Sequence, residues 1–308
     1  MQAAVTAQLR KVFETMRPIL LRQPSADTPK KERKTEVVRD TCGLPLILGR
    51  VGSLEVRLAT TRKDIRKAQK LRYEVFYEEM SAVPPAYLRV LKRDKDAFDR
   101  VCDHLLVVDL DHVSGPLKLK RPKVVGTYRL LRQQTAGENF GFYTASEFDI
   151  DNLIARHPEQ HFLELGRSCV LEPYRNKKTV ELLWQGIWAY VRHHKIDVMF
   201  GCASLEGTSP DRLQSELSFL HHFAKPEAEW NARAVSSRYS EMNRMEKSAL
   251  DPKRALVSLP PLVKGYLRLG ARIGEGAVVD HAFGTTDVLI ILRVVDIDPR
   301  YIAYYGTA

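Results

Sequence analysis

Long apolar runs are missing from this chain. None approaches the ~20 residues that a membrane-crossing helix needs, so no transmembrane helix is predicted. The amino terminus also lacks the positive-then-apolar order of a secretory leader, because Arg10, Lys11 and Arg17 interrupt it, and the expected location is the cytoplasm. Cysteine is scarce: Cys42, Cys102, Cys169 and Cys202 show no CxxC spacing. That pattern argues against a disulfide framework and a zinc site, and for a reducing compartment. No repeat or low-complexity tract is present, and aromatic residues do not alternate with basic ones as they do on a single-strand nucleic-acid platform. Negative charge is in deficit, with 38 Asp+Glu against 48 Lys+Arg and a net charge of +10. Such a surface favours an acidic partner: nucleic acid, an anionic membrane surface or a small acidic protein.

With 308 residues, 44% of them hydrophobic, the chain has room for one large α/β domain or two small ones. Residues 5–17 place Leu9, Val12, Phe13 and Met16 on one helical face beside Arg10, Lys11 and Arg17. A helix at the inner-membrane surface and a solvated leader are both compatible with that pattern. Residues 23–39, with Pro24, Pro29 and the 30–34 charge run, read as a linker. The division is therefore a basic leader over 1–45 and one folded domain over 46–308.

The folded part is organised around residues 162–170, Phe-Leu-Glu-Leu-Gly-Arg-Ser-Cys-Val. Alternation predicts a strand with Leu163, Leu165 and Cys169 on one face and Glu164, Gly166 and Ser168 on the other. Glu164 and Arg167 then point opposite ways unless a bulge intervenes, and Gly166, which tolerates the backbone angles, is the expected place for it. Beyond Pro173, the residues Val180, Leu183, Trp184, Ile187, Trp188 and Val191 form one helical stripe from Lys177 to His194. A second apolar strand follows over 196–202. Strand, helix and strand make a βαβ unit with a parallel pair, and ligands of such units sit at the strand's carboxyl end and the helix's amino end. That junction is basic: Arg175, Lys177 and Lys178. Cys169 is read as a small buried hydrophobe rather than a nucleophile.

Elsewhere, residues 54–60 alternate as a strand, and Thr61 with Asp64 makes a capping-box-like start for a helix that carries Arg72 on its apolar stripe. Asp94, Asp96, Asp99 and Asp103 crowd the segment before a strand at 104–109; their spacing lacks the EF-hand pattern, so an organic ammonium or solvent is preferred to a metal ion. Residues 123–131 read as a strand antiparallel to it, with Arg129 inside. Ser209 and Pro210 are expected to cap and open a helix reaching about Phe223, and residues 286–293 read as a late strand.

Together, Leu71-Arg-Tyr-Glu-Val-Phe-Tyr77, Cys102-Asp-His-Leu-Leu106, Val125-Gly-Thr-Tyr-Arg-Leu130, Glu164-Leu-Gly-Arg-Ser168, Asp197-Val-Met-Phe-Gly-Cys202, the 260–270 segment and Thr285-Thr-Asp-Val288 resemble the bacterial L-ornithine N-alpha-acyltransferases of ornithine-lipid synthesis. These have the GNAT acyltransferase fold and are relatives of acyl-homoserine-lactone and N-acyl amino acid synthases. The resemblance implies an α/β fold with a mixed central sheet flanked by helices and a family-specific carboxy-terminal extension. It also implies an acyl-transfer site at Arg72, Asp96, Asp99, Arg129, Glu164 and Arg167. The Gly-rich pyrophosphate loop of CoA-binding members is replaced by Pro173-Tyr-Arg-Asn-Lys-Lys178, which points to acyl carrier protein, bearing phosphopantetheine, as donor; no other cofactor and no metal is implied.

On this reading Glu164 is the general base, directly or through one water. A backbone N–H at Ser168 or Cys169 serves the oxyanion. Arg129 or Arg167 pairs with the acceptor's carboxylate, Asp96 or Asp99 with its distal ammonium, and Arg175, Lys177 and Lys178 with the donor's phosphate. The product is a lyso-ornithine lipid that a separate O-acyltransferase would complete. Two rivals are carried: a synthase of another N-acyl amino acid or of an acyl-homoserine lactone, and a non-enzymatic basic protein that binds membranes or nucleic acid.

Overall fold

In a computed structural model, which describes residues 40–41, 43–80, 82–114 and 119–306, the predicted central strand forms over the span that its alternation indicates. The 5–17 helix and the linker lie outside the described residues. The strands are β1 Gly49–Val51, β2 Leu54–Leu58, β3 Asp103–Asp109, β4 Val113–Ser114, β5 Leu119–Lys120, β6 Lys123–Arg132, β7 Phe162–Val170, β8 Val198–Glu206, β9 Tyr239–Ser240, β10 Arg272–Asp280 and β11 Thr285–Arg293. Nine of them make one sheet, β1-β2-β3-β6-β7-β8-β11-β10-β9, and β4 and β5 pair separately. Every neighbour in the large sheet is antiparallel except β7 and β8, the parallel pair of the predicted βαβ unit. The α-helices are α1 Arg62–Tyr73, α2 Ala86–Leu91, α3 Gln133–Gly137, α4 Ile150–Arg156, α5 Lys177–His193, α6 Gln214–Phe223, α7 Pro252–Ser258, α8 Pro261–Arg268 and α9 Pro299–Gly306.

Period-2 alternation sends neighbouring side chains to opposite faces, and the sheet accordingly separates two cores. Leu163 and Met199 enter one, with α5 and α1; Phe162, Val198 and Phe200 enter the other, with Phe148, Ile150 and Leu153. The α5 stripe is buried except Val180, which is left at the helix's open end. Burying each large apolar side chain of that stripe contributes about 1.5–3 kcal/mol, which fixes the helix on the sheet. Asn176 caps α5, its Oδ1 accepting the Thr179 N–H at 3.1 Å.

One detail of the parallel pair creates the site. β7 and β8 are in register only from Phe162↔Val198 to Glu164↔Phe200, after which they part. At the fork Gly201 lies against the Leu165 carbonyl, where a Cβ would overlap the oxygen, so no other residue fits without moving the strands. Two local expectations change. The helix expected to open at Ser209 and Pro210 starts at Gln214, because Arg212 and Leu213 first close tight turns onto the Ser209 and Pro210 carbonyls. The strand expected over 196–202 runs instead over Val198–Glu206, following β11 along its whole length.

Candidate active site

The parted strands open into a cavity of about 1310 Å³, walled by β7, β8, the start of α5, α8 and the segment after α1. Glu164, Arg167, Ser168, Cys169 and Arg129 all line it. The expected bulge exists, but not at Gly166. Gly166 stays in register with Arg129 and Cys169 with Thr127, so Arg167 and Ser168 together face Tyr128. Arg167, with φ of +49°, takes the left-handed conformation. Tertiary contact outweighs its backbone cost: the guanidinium is held 4.8 Å from the centres of both the Tyr143 and Phe283 rings. Its Nε lies 3.4 Å from Asp94 Oδ2 and its Nη2 3.6 Å from Asp96 Oδ2. The bulge brings Arg167 and Glu164 to the same cavity, as the spacing argument required.

Glu164 is buried, and each of its oxygens accepts a backbone N–H, Oε1 from Thr144 at 2.6 Å and Oε2 from Tyr143 at 3.1 Å. These are the first amides of the 3₁₀ turn Tyr143–Ser146, which the carboxylate therefore caps. Burial nevertheless outweighs the bonds and pushes the carboxyl above its ordinary range. A cavity-lining carboxyl raised in this way is a candidate for proton transfer.

The acidic segment is not waiting for an ammonium. Arg72 donates from Nε to Asp94 Oδ2 and from Nη2 to the Asp94 carbonyl and Asp99 Oδ1, each at 2.7 Å. Asp99 Oδ2 takes the Gln69 amide at 2.9 Å. Arg129 Nη1 donates to both oxygens of Asp96 at 2.7 Å. Asp96 and Asp99 also cap each other's backbone in a reciprocal capping box. Burial raises Asp99, but Arg72, His104 and Arg129 outweigh it and hold the carboxyl below its usual range. Three guanidiniums thus face three carboxylates in the interior, an arrangement that tolerates removal of no single member. Arg72, Asp94 and Asp99 line no part of the cavity, so their place is to support Arg129 and Arg167 from behind.

Of the basic junction, Arg175 and Lys177 line the cavity and Lys178 does not. Arg175 donates to the Val170 carbonyl at 2.9 Å and pairs with Glu79; Lys177 pairs with Glu181 along the helix. Cys169 is buried and pushed up to about 12, so its thiol stays protonated, as the small-hydrophobe reading holds.

Sequence reasoning missed a second acidic wall. Carboxylate oxygens of Glu147, Asp280 and Asp287 lie within 4.8 Å of one another. Asp280 and Asp287 line the cavity beside Cys202 and Ser204. Thr285 Oγ1 donates to Asp287 Oδ1 at 2.9 Å, and Arg238 approaches Glu147 at 3.3 Å. Burial pushes both Glu147 and Asp287 upward; the Asp287 charge adds to the rise at Glu147, and at Asp287 burial outweighs the Ser204 and Thr285 hydrogen bonds that lower it. Unlike the Asp94–Asp99 group, these carboxylates are short of cations. The available signal was Thr285-Thr-Asp-Val288, a hydroxyl two residues from a carboxylate in an otherwise apolar strand.

A raised-pKa carboxyl, a guanidinium and a carboxylate-rich wall around one large, mostly apolar chamber can hold an amino acid beside a long acyl chain and remove a proton from it. Among solved structures, the chain aligns with an N-acyl amino acid synthase from uncultured soil microbes (10% identity, TM-score 0.45, 82% of this chain and 94% of that one). It also aligns with an AHL synthase (13%, TM-score 0.43, 83% and 96%). Residues 71–185 match the acetyltransferase (GNAT) domain family. L-ornithine N(alpha)-acyltransferase of Agrobacterium fabrum is 54% identical over 89% of this chain and 91% of its own, and that of Brucella abortus 54% over 86% and 92%. The Rhodobacter capsulatus enzyme of the same name is 38% identical over 82% and 95%. Identity of 54% to the Agrobacterium and Brucella enzymes over most of both chains shows that the chain belongs to the L-ornithine N(alpha)-acyltransferase family and is an N-acyltransferase.

Proposed function

We propose that the chain transfers a fatty acyl group, 3-hydroxylated or not, from acyl carrier protein to the α-amine of L-ornithine. The product, an N-acyl ornithine, is the lyso form of ornithine lipid, and a separate O-acyltransferase consumes it. The observation that carries this reading is the forked cavity, which Glu164 and Arg167 line together with Asp280 and Asp287. Arg167, backed by the aspartates, offers its guanidinium to the acceptor's carboxylate. The distal ammonium goes to Asp287 and Asp280 rather than to Asp96 or Asp99, whose oxygens are already taken by Arg129, Arg72 and the Gln69 amide. Neutralising the wall offsets the burial that raises Asp287.

Glu164 takes a proton from the α-ammonium, directly or through one water, and the freed amine attacks the thioester carbonyl. A C–N bond forms and the C–S bond breaks; the nitrogen's second proton passes to the departing thiolate, which leaves as the phosphopantetheine thiol on its carrier. The bulge takes Arg167 and Ser168 out of register, and a backbone N–H at this point of the strand, that of Ser168 or of the neighbouring Cys169, meets the oxyanion. The donor's phosphate lies at the capped start of α5, where the helix dipole, Arg175, Lys177 and Lys178 favour negative charge. The acidic carrier fits the chain's net charge of +10. Work at the inner face of the membrane, on the cytoplasmic side, completes the proposal.

The test is thiol release from acyl carrier protein and from acyl-CoA, each with ornithine, lysine, glutamine and S-adenosylmethionine as acceptors. Release with ornithine and the carrier thioester supports the reading. Equal rates with acyl-CoA would remove the carrier, and turnover with S-adenosylmethionine alone would favour a homoserine-lactone product.

A further inference from the structure

Five of the apolar side chains that stay exposed fall on one short segment. Between the π-helical stretch Glu74–Glu79 and the acidic loop, Met80, Val83, Tyr87, Val90 and Leu91 are 42%, 59%, 58%, 85% and 41% exposed. α2 turns Leu88 inward, so Tyr87, Val90 and Leu91, at i, i+3 and i+4, form its outer face. Pro84 and Pro85 precede the helix and stiffen the approach to it. Single exposed apolar residues are ordinary, whereas five on one short segment mark a surface that docks on something.

Charge and position say on what. Arg89, Lys92, Arg93 and Lys95 follow and interleave with the ridge. Against them stands Glu78, 3.4 Å from the exposed Lys92 ammonium; Asp94, in the same stretch, is neutralised by Arg72 inside the protein. An apolar ridge with a tyrosine, rimmed by cations, matches the boundary between headgroups and acyl chains of an anionic bilayer. The ridge is also continuous with the cavity. Met80 and Ala82 of this segment line it, and the Val83 N–H bonds the Ala282 carbonyl at 2.9 Å, beside the cavity-lining Phe283.

We propose that α2 and the segment before it dock the chain on an anionic lipid bilayer and set the cavity beside the membrane. What leaves the cavity on that side rests on the acyl-transfer reading: an amphiphile with a long acyl chain passes directly into lipid instead of crossing water.

The test uses the full chain with Tyr87→Trp; the native Trp184, Trp188 and Trp230 are buried. It is mixed with phosphatidylglycerol-containing vesicles whose acyl chains are plain or brominated. Insertion to the headgroup boundary predicts that emission from the introduced indole falls about twofold in brominated vesicles. In a second arm, Val90→Glu with Leu91→Glu lowers partition into anionic vesicles about tenfold, leaving N-acylation with soluble donor and acceptor unchanged. Equal emission in both vesicle types, or no vesicle binding at all, would overturn the proposal. Unaltered partition of the charged variant combined with a raised KM for acyl carrier protein would assign the ridge to the carrier instead. Loss of acyl transfer in the parent chain would sink the acyl-transfer reading while leaving the quenching result standing, so the two failures are distinguishable.

Discussion

Replacing Glu164 by Gln separates a proton-transfer role from a capping role. The carboxylate now accepts two backbone amides, at 2.6 Å and 3.1 Å. A glutamine keeps one acceptor oxygen but turns an NH₂ group toward the other amide, so one bond is lost and a buried N–H is left unpaired, costing about 1–3 kcal/mol. Part of that is offset, because burial disfavours the charged carboxyl that glutamine replaces. The net loss is about 0–2 kcal/mol, a fall in Tm of at most about 8 °C for a domain of this size. A lost general base costs far more in rate, about 10²–10⁴-fold. The account therefore predicts a folded variant, slightly less heat-stable, with kcat at least about a hundredfold lower. The parent's rate rises with pH through an apparent pKa above the ordinary glutamate value, and the variant lacks that limb. The assay is thiol release across a pH series, with thermal melts in parallel. If Glu164→Gln kept turnover within about threefold of the parent and the same pH limb, Glu164 would be a cap and nothing more.

Asp287→Asn removes one charge from the wall assigned to the distal ammonium. It should raise KM for ornithine about 10- to 100-fold, the worth of a charge-assisted bond, with far less effect on 2-aminopentanoate, which has no distal ammonium; equal effects on both acceptors would refute the assignment. Gly201→Ala drives a Cβ into the Leu165 carbonyl and should cost about 1–3 kcal/mol by chemical denaturation, because backbone must move; a neutral result would mean that the fork is softer than its geometry implies. Asp99→Asn leaves Arg72 short of a counter-charge and should destabilise the fold by about 3–5 kcal/mol at pH 7. Asp99 is held below its unfolded value, so its contribution is present above that value and lost as pH falls through the folded one. The gap between parent and variant should therefore narrow in acid, and a constant gap would contradict the pairing.

Elements whose signal is local were legible in the sequence. β7 and α5 form within a residue of the expected spans, since alternation, the apolar stripe and the residues around Pro173 each act over a few positions. The parallel β7–β8 pair followed from the strand–helix–strand order. The bulge was foreseen but misplaced, because sequence preference favours glycine, whereas rings and carboxylates from elsewhere in the chain pull Arg167 into the unusual conformation. Asp96 and Asp99 were recognisable as a charged cluster, yet their partners, Arg72 and Arg129, come from 27 and 33 residues away. The Glu147–Asp280–Asp287 wall joins the β10–β11 hairpin, which carries both aspartates, to the distant Glu147, and no local spacing could reveal that join. The same holds for the Thr144 and Tyr143 amides that grip Glu164.

The central claim is acyl transfer from a carrier-bound thioester to the α-amine of ornithine in the forked cavity. Tandem mass spectrometry of a reaction containing the purified chain, 3-hydroxyacyl acyl carrier protein and a mixture of free amino acids tests it most directly. The account predicts one N-acyl product, ornithine acylated at the α-nitrogen, formed in step with loss of the thioester. Acylation at the distal nitrogen would contradict the placement of that ammonium against Asp287, and an intact thioester would contradict the claim as a whole.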